Sequence, residues 1–184
     1  MATKKLSDRR LFRILSLVLL VGAAMLYVRA HTRSMAAPYL VEAILFAVIF
    51  GGFVKIPSRP WLALPCLPAL VYHVVRLWNF LLAGTWLTLY FVEVALLAVA
   101  YALAIVMFCA GKRSSSLRNV TLLVFAVCIG FGVWDIIDGW WILMNHTWTP
   151  IAERLSLFGF YYIPDTLFWI LPFVMMGKVI LDHK

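Results

Sequence analysis

Acidic residues are scarce in this chain: eight Asp and Glu stand against sixteen Lys and Arg in 184 residues, and only 13% of the chain is charged. Soluble domains carry roughly a quarter of their residues as charged ones, so the deficit argues against a water-soluble domain. Cysteine is sparse too. Cys66, Cys109 and Cys128 show no CxxC spacing and no histidine at ligand distance, which leaves them as small apolar residues in helix packing. His31, His146 and His183 fall in loops or the tail and none is paired at ligand spacing, so neither a metal centre nor a haem pair is expected. No basic stripe with interleaved aromatics lies outside the apolar runs, so the net charge of +8 does not point to nucleic acid. No repeat stands out, and the one low-complexity stretch is Ser114-Ser115-Ser116. No small-residue cleavage site follows the first apolar run, which therefore reads as a retained span.

What the chain has in abundance is apolar sequence, at 65% of its residues. Continuous apolar stretches of this length read as membrane spans. Six fit, over residues 11–30, 37–54, 61–82, 86–110, 118–143 and 157–180, in a single all-α transmembrane domain covering 1–184. The turn Ala83-Gly84-Thr85 is short enough to make the third and fourth spans a tight antiparallel hairpin. Pro57, Pro60, Pro65 and Pro68 are expected to kink or break the start of the third.

Loop charges choose the orientation. With the N-terminus inside, the inner side holds Lys4, Lys5, Arg9, Arg10, Arg13, Lys55, Arg59, Lys112, Arg113, Arg118, Lys178 and Lys184, where they meet anionic head groups. The outer side holds only Arg29, Arg33 and Arg154, so both termini are expected in the cytoplasm of a cell or endoplasmic reticulum membrane protein.

Five of the eight acids, Glu42, Glu93, Asp135, Asp138 and Asp165, lie inside these apolar runs. An ionised carboxylate in hydrocarbon costs roughly 2.5–3.5 kcal/mol on insertion scales, so such groups face a partner charge, a protein interior or a wet cavity. His73 is near mid-membrane, and Arg76, three residues on, shares its helix face about 4.5 Å further along at 1.5 Å per residue. In the topology above all seven residues fall between mid-membrane and the outer surface, with Glu93 at a depth similar to that of His73 and Arg76. Arg76 and Glu93 are then expected to meet, either as an ion pair that fixes helix packing or as a proton-transfer or ligand-anchoring group. A carboxylate held in apolar surroundings binds its proton more tightly, which suits acid–base work, and a nearby Arg opposes that effect.

Asp135 and Asp138 sit in Trp134-Asp135-Ile136-Ile137-Asp138-Gly139-Trp140-Trp141, and their spacing puts both on one face. Either they share a proton or bind a cation, or they are wet acids within an interfacial tryptophan belt. Asp165 follows Pro164, and a proline that frees a carbonyl favours a cavity-lining position. Trp134 and Phe168 are the aromatics expected beside a ligand; the abundance of aromatics overall equally suits lipid contact.

From residue 59 to 184 the chain resembles the EXPERA family, which includes the emopamil-binding sterol isomerases and the sigma-2 receptors. The likeness rests on Trp86 preceding Glu93 in a helix that ends near Gly111, and on Arg113 and Arg118 before the next helix. It also rests on Glu153-Arg154-Leu155-Ser156-Leu157 leading into Phe160-Tyr161, and on the closing Asp165-Thr166-Leu167-Phe168-Trp169-Ile170-Leu171-Pro172. His73 matches that family's first-helix histidine. Leu77 stands where the isomerases carry an acid, Asp165 replaces an asparagine, and a long segment between the first two helices is missing.

The resemblance implies a cofactor-independent, metal-free isomerase acting on a lipid-like alkene. His73 and Glu93 would handle the protons, with Asp165 and aromatics stabilising a cationic intermediate. Ligand contacts would come from Arg76, Asp135, Asp138, Asp165, Trp134 and Phe168. The departures weigh against isomerisation more than against a pocket for a sterol- or terpenoid-like molecule. Two other readings stand beside it: a substrate-capturing subunit of a small-molecule transporter docked on partner subunits, and a non-catalytic accessory protein or homo-oligomer whose charges pair helices.

Overall fold

The computed structural model describes residues 14, 17, 21, 62–85, 88–109, 115–145, 150–159 and 163–181. The expected spans 11–30 and 37–54, and with them Glu42, lie outside the described residues, apart from Ile14, Leu17 and Val21, which are helical. The described residues form helices and their connections, with no strand among them. We number the helices α1 (Ala63–Leu82), α2 (Leu89–Cys109), α3 (Ser115–Asn145), α4 (Ile151–Leu157) and α5 (Ile163–Leu181). Three of them, α1, α2 and α3, are long and apolar enough to cross a membrane, so the described residues are those of an all-helical protein of membrane type.

Of the four prolines expected to kink or break the start of the third span, Pro57 and Pro60 lie outside the described residues, and the other two are accommodated within α1. Pro65 falls in the first turn of α1, where a backbone N–H has no intrahelical acceptor to lose. Pro68 lies deeper in the helix and deprives the Leu64 carbonyl of its usual donor.

The α1–α2 hairpin closes as the short turn requires. Gly84 takes φ 68°, a left-handed conformation that costs glycine little. The Gly84 N–H then donates to Leu81 O at 3.2 Å and the Thr85 N–H to Phe80 O at 3.1 Å, satisfying two carbonyls at the helix end. Thr88 opens α2, its hydroxyl oxygen accepting the Phe91 N–H at 3.2 Å while donating to Thr85 O at 3.0 Å.

The core lies where α1, α2, α3 and α5 meet. Tyr101 of α2 and Phe125 of α3 each approach Phe173 of α5 at 5.2 Å between ring centroids, and all three are buried. The Cys66 thiol of α1 lies 3.7 Å from the Met176 sulfur of α5. Further along the α3–α5 seam, a Cβ at Gly132 would come 2.7 Å from Cγ1 of Ile170, so only glycine permits this approach. The seam is antiparallel, with Gly132 against Thr166 and Ile170 near one end and Phe125 against Phe173 deeper in.

Two expected spans are redrawn. The fifth is longer, α3 having 31 residues, or about 46 Å of helix against about 30 Å of hydrocarbon. Its last turn is tied down by Asn145 Nδ2 donating to Trp141 O at 3.0 Å and Arg154 Nη1 donating to Met144 O at 2.9 Å. The expected sixth span begins six residues too early: α4 ends at Leu157, and α5 begins at Ile163 with Pro164 in its first turn. A proline is favourable there because the first-turn N–H groups have no acceptors within the helix.

Candidate functional site

The polar residues of the described helices occupy two levels. The deeper level centres on His73. Its ring stacks on Tyr101, with centroids 5.6 Å apart and planes inclined by 13°, and meets Tyr72 edge-on at 5.3 Å. His73 is buried, and its Nδ1 has no hydrogen-bond partner among the described residues. An imidazole nitrogen held away from water without a partner is costly, so this atom offers itself to a polar group brought by another molecule or segment.

The second level lies toward the end where α1 stops and α2 starts. Glu93 is 8% exposed, unusually low for a carboxylate. It is within electrostatic reach of Asp135 on α3, and Asp135 of Asp138. Asp135 is half-buried and Asp138 exposed, so the three acids step from the α2–α3 interface outward along α3. Arg76 reaches the same end from α1. Its guanidinium lies 5.4 Å from the Tyr72 ring centroid and 5.1 Å from that of Tyr90, both within cation–π range. Tyr90 precedes Glu93 by one helical turn on the same face, so the cation sits beside the turn of α2 that carries the carboxylate.

The structure corrects the expectation that His73 and Glu93 lie at similar depth. His73 is nine residues back from the end of α1, whereas Glu93 is four residues into α2. The histidine stacks on Tyr101, which lies eight residues beyond Glu93, or about 12 Å along the helix axis. The three acids gather toward this end, while His73, within electrostatic reach of Arg76, stacks in the aromatic core. Trp134, expected to line the site, is 58% exposed on α3, whereas Glu93 is buried. Asp165 and Phe168 belong to the first turns of α5, at the end of the seam where Gly132 meets Thr166; their side chains lie outside the described ones.

Sequence reasoning passed over three tyrosines that shape the site. Tyr72 and Arg76 are four apart and Tyr90 and Glu93 three apart, spacings that put each pair on one helix face and were readable in advance. Tyr101 carried no such sign, because its meeting with His73 depends on how α1 and α2 are staggered. Among the described residues no group of three His, Cys, Asp or Glu could hold a metal ion.

No protein-family model matches the chain, and no curated protein or solved structure matches it either. Fold and site together define a helical membrane protein with an acidic cluster at one end of its bundle.

Proposed function

We propose that this chain is a six-span membrane protein, both termini cytoplasmic, that binds an amphipathic sterol- or terpenoid-like molecule with its polar end at Glu93 and its apolar body along the bundle. The observation that carries the reading is the burial of Glu93 beside the charge of Asp135, with Arg76 carried on Tyr90 one turn away. A carboxyl group held away from water needs a hydrogen-bond partner, and a ligand's polar group supplies one. The unpartnered Nδ1 of His73, deeper in the bundle, would receive a second polar group on the same molecule. The motif resemblance over residues 59–184 supports the same ligand class.

The geometry supports binding better than chemistry. A proton relay between His73 and Glu93 would have to cross about two helical turns, so isomerase-type catalysis requires a ligand lying between them. Native mass spectrometry of gently purified protein tests the proposal directly. A co-purified lipid-like molecule is expected, and Glu93→Gln should reduce its occupancy while leaving the protein folded. An unchanged bound fraction in both Glu93→Gln and His73→Ala would remove these residues from the site. A co-purified energising subunit in place of a lipid would favour a transporter component.

A further inference from the structure

The short helix α4 lies just after the acid-bearing end of α3. Ile151 and Leu155, one turn apart, share a face and are 63% and 49% exposed. Glu153 is set roughly opposite them at 100° per residue, and it too is exposed. The segment is held against the bundle rather than left hanging. Arg154 Nη1 donates to Met144 O at 2.9 Å, and Phe158 meets Trp140 edge-on at 5.0 Å. These two ties fasten α4 to the stretch of α3 where Trp134, Trp140 and Trp141 are 58%, 43% and 68% exposed.

We propose that α4 is an interfacial helix, with Ile151 and Leu155 set into the boundary between lipid head groups and acyl chains and Glu153 turned to water. Continuity of surface argues for lipid as the occupant. The stretch of α3 to which α4 is tied also carries Ile137 at 56% and Trp141 at 68% exposure. Exposed tryptophans at the end of an apolar span are the side chains that settle at head-group level. A short helix with an apolar face on one side and an acid on the other, tied to that level, matches the amphipathic pattern of in-plane segments.

This inference rests on reading α3 as a membrane span, and the experiment separates the two. Single cysteines at positions 151, 153 and 155 are introduced into a Cys109→Ser background, since Cys66 and Cys128 are buried and shielded from labelling. A fluorophore is attached at each, and the protein is reconstituted in phosphatidylcholine vesicles. Lipids brominated high on the acyl chain should quench Ile151→Cys and Leu155→Cys more strongly than Glu153→Cys, and aqueous iodide should do the reverse. A fourth label at Leu123→Cys, on α3 where Leu123 is 65% exposed, should be quenched by lipid brominated near the chain end. Equal iodide quenching at 151, 153 and 155 would overturn the proposal while leaving the span reading intact. So would protection of 151 and 155 from both quenchers, which would mean that protein covers them. Failure of lipid quenching at Leu123 would overturn the span reading and the proposal together.

Discussion

Gly132 and Arg76 set the strongest constraints on individual side chains. At Gly132 an added Cβ would meet Ile170 Cγ1 at 2.7 Å, whereas at Gly130, half a turn away, nothing lies within 4 Å. Gly132→Val should therefore lower stability by about 1–3 kcal/mol, as overpacking does, while Gly130→Ala leaves it nearly unchanged. Thermal unfolding in detergent distinguishes the two. Arg76 depends on the rings that bracket it. Tyr90→Leu should cost about 1 kcal/mol through the lost cation–π contact, and Tyr90→Phe should retain most of it, as read by the same melts. The acids of the cluster were legible in the sequence because charge inside an apolar run is conspicuous. The need for glycine at position 132 was not, since it comes from Ile170, 38 residues away in the chain, and no local pattern announces a close approach between distant helices.

At the level of elements, the α1–α2 hairpin is the feature most completely readable from sequence. A short Ala83-Gly84-Thr85 turn between two long apolar runs implies a tight antiparallel hairpin, and the structure closes it with Gly84 in a left-handed conformation and Thr88 capping the restart. Gly84→Ala meets no steric obstacle, so its cost of about 1 kcal/mol should be purely conformational. Hydrogen exchange at the Gly84 and Thr85 amides should rise in that variant while the cores of α1 and α2 stay protected. The stagger of the hairpin was harder to read. Depth read from span boundaries shifts by about a turn when a boundary moves a few residues, and α2 begins at Leu89 rather than at 86, which puts Glu93 nearer the hairpin end than His73. The later start of the last expected span was signalled by Pro164 but obscured by the apolar residues on both sides of it.

Across the whole molecule, apolar composition announced a helical membrane protein, and three described helices fit that description. The function was less legible because a bundle of this kind is specified mainly by small and apolar residues common to many membrane proteins. Its cysteines offer a test of the packing: a membrane-permeant maleimide should label Cys109 in the native protein and reach Cys66 and Cys128 only after denaturation. Rapid labelling of all three in the native state would contradict the arrangement of the core. The 31-residue length of α3 carries a further consequence. A helix that outruns the hydrocarbon slab must tilt or emerge, and how far it emerges depends on the thickness of the host bilayer. Since Asp135 and Asp138 ride on the final third of α3, a thinner bilayer leaves them wetter and a thicker one draws them toward oil. Membrane thickness thereby acts as an environmental dial on the acidic end of this protein.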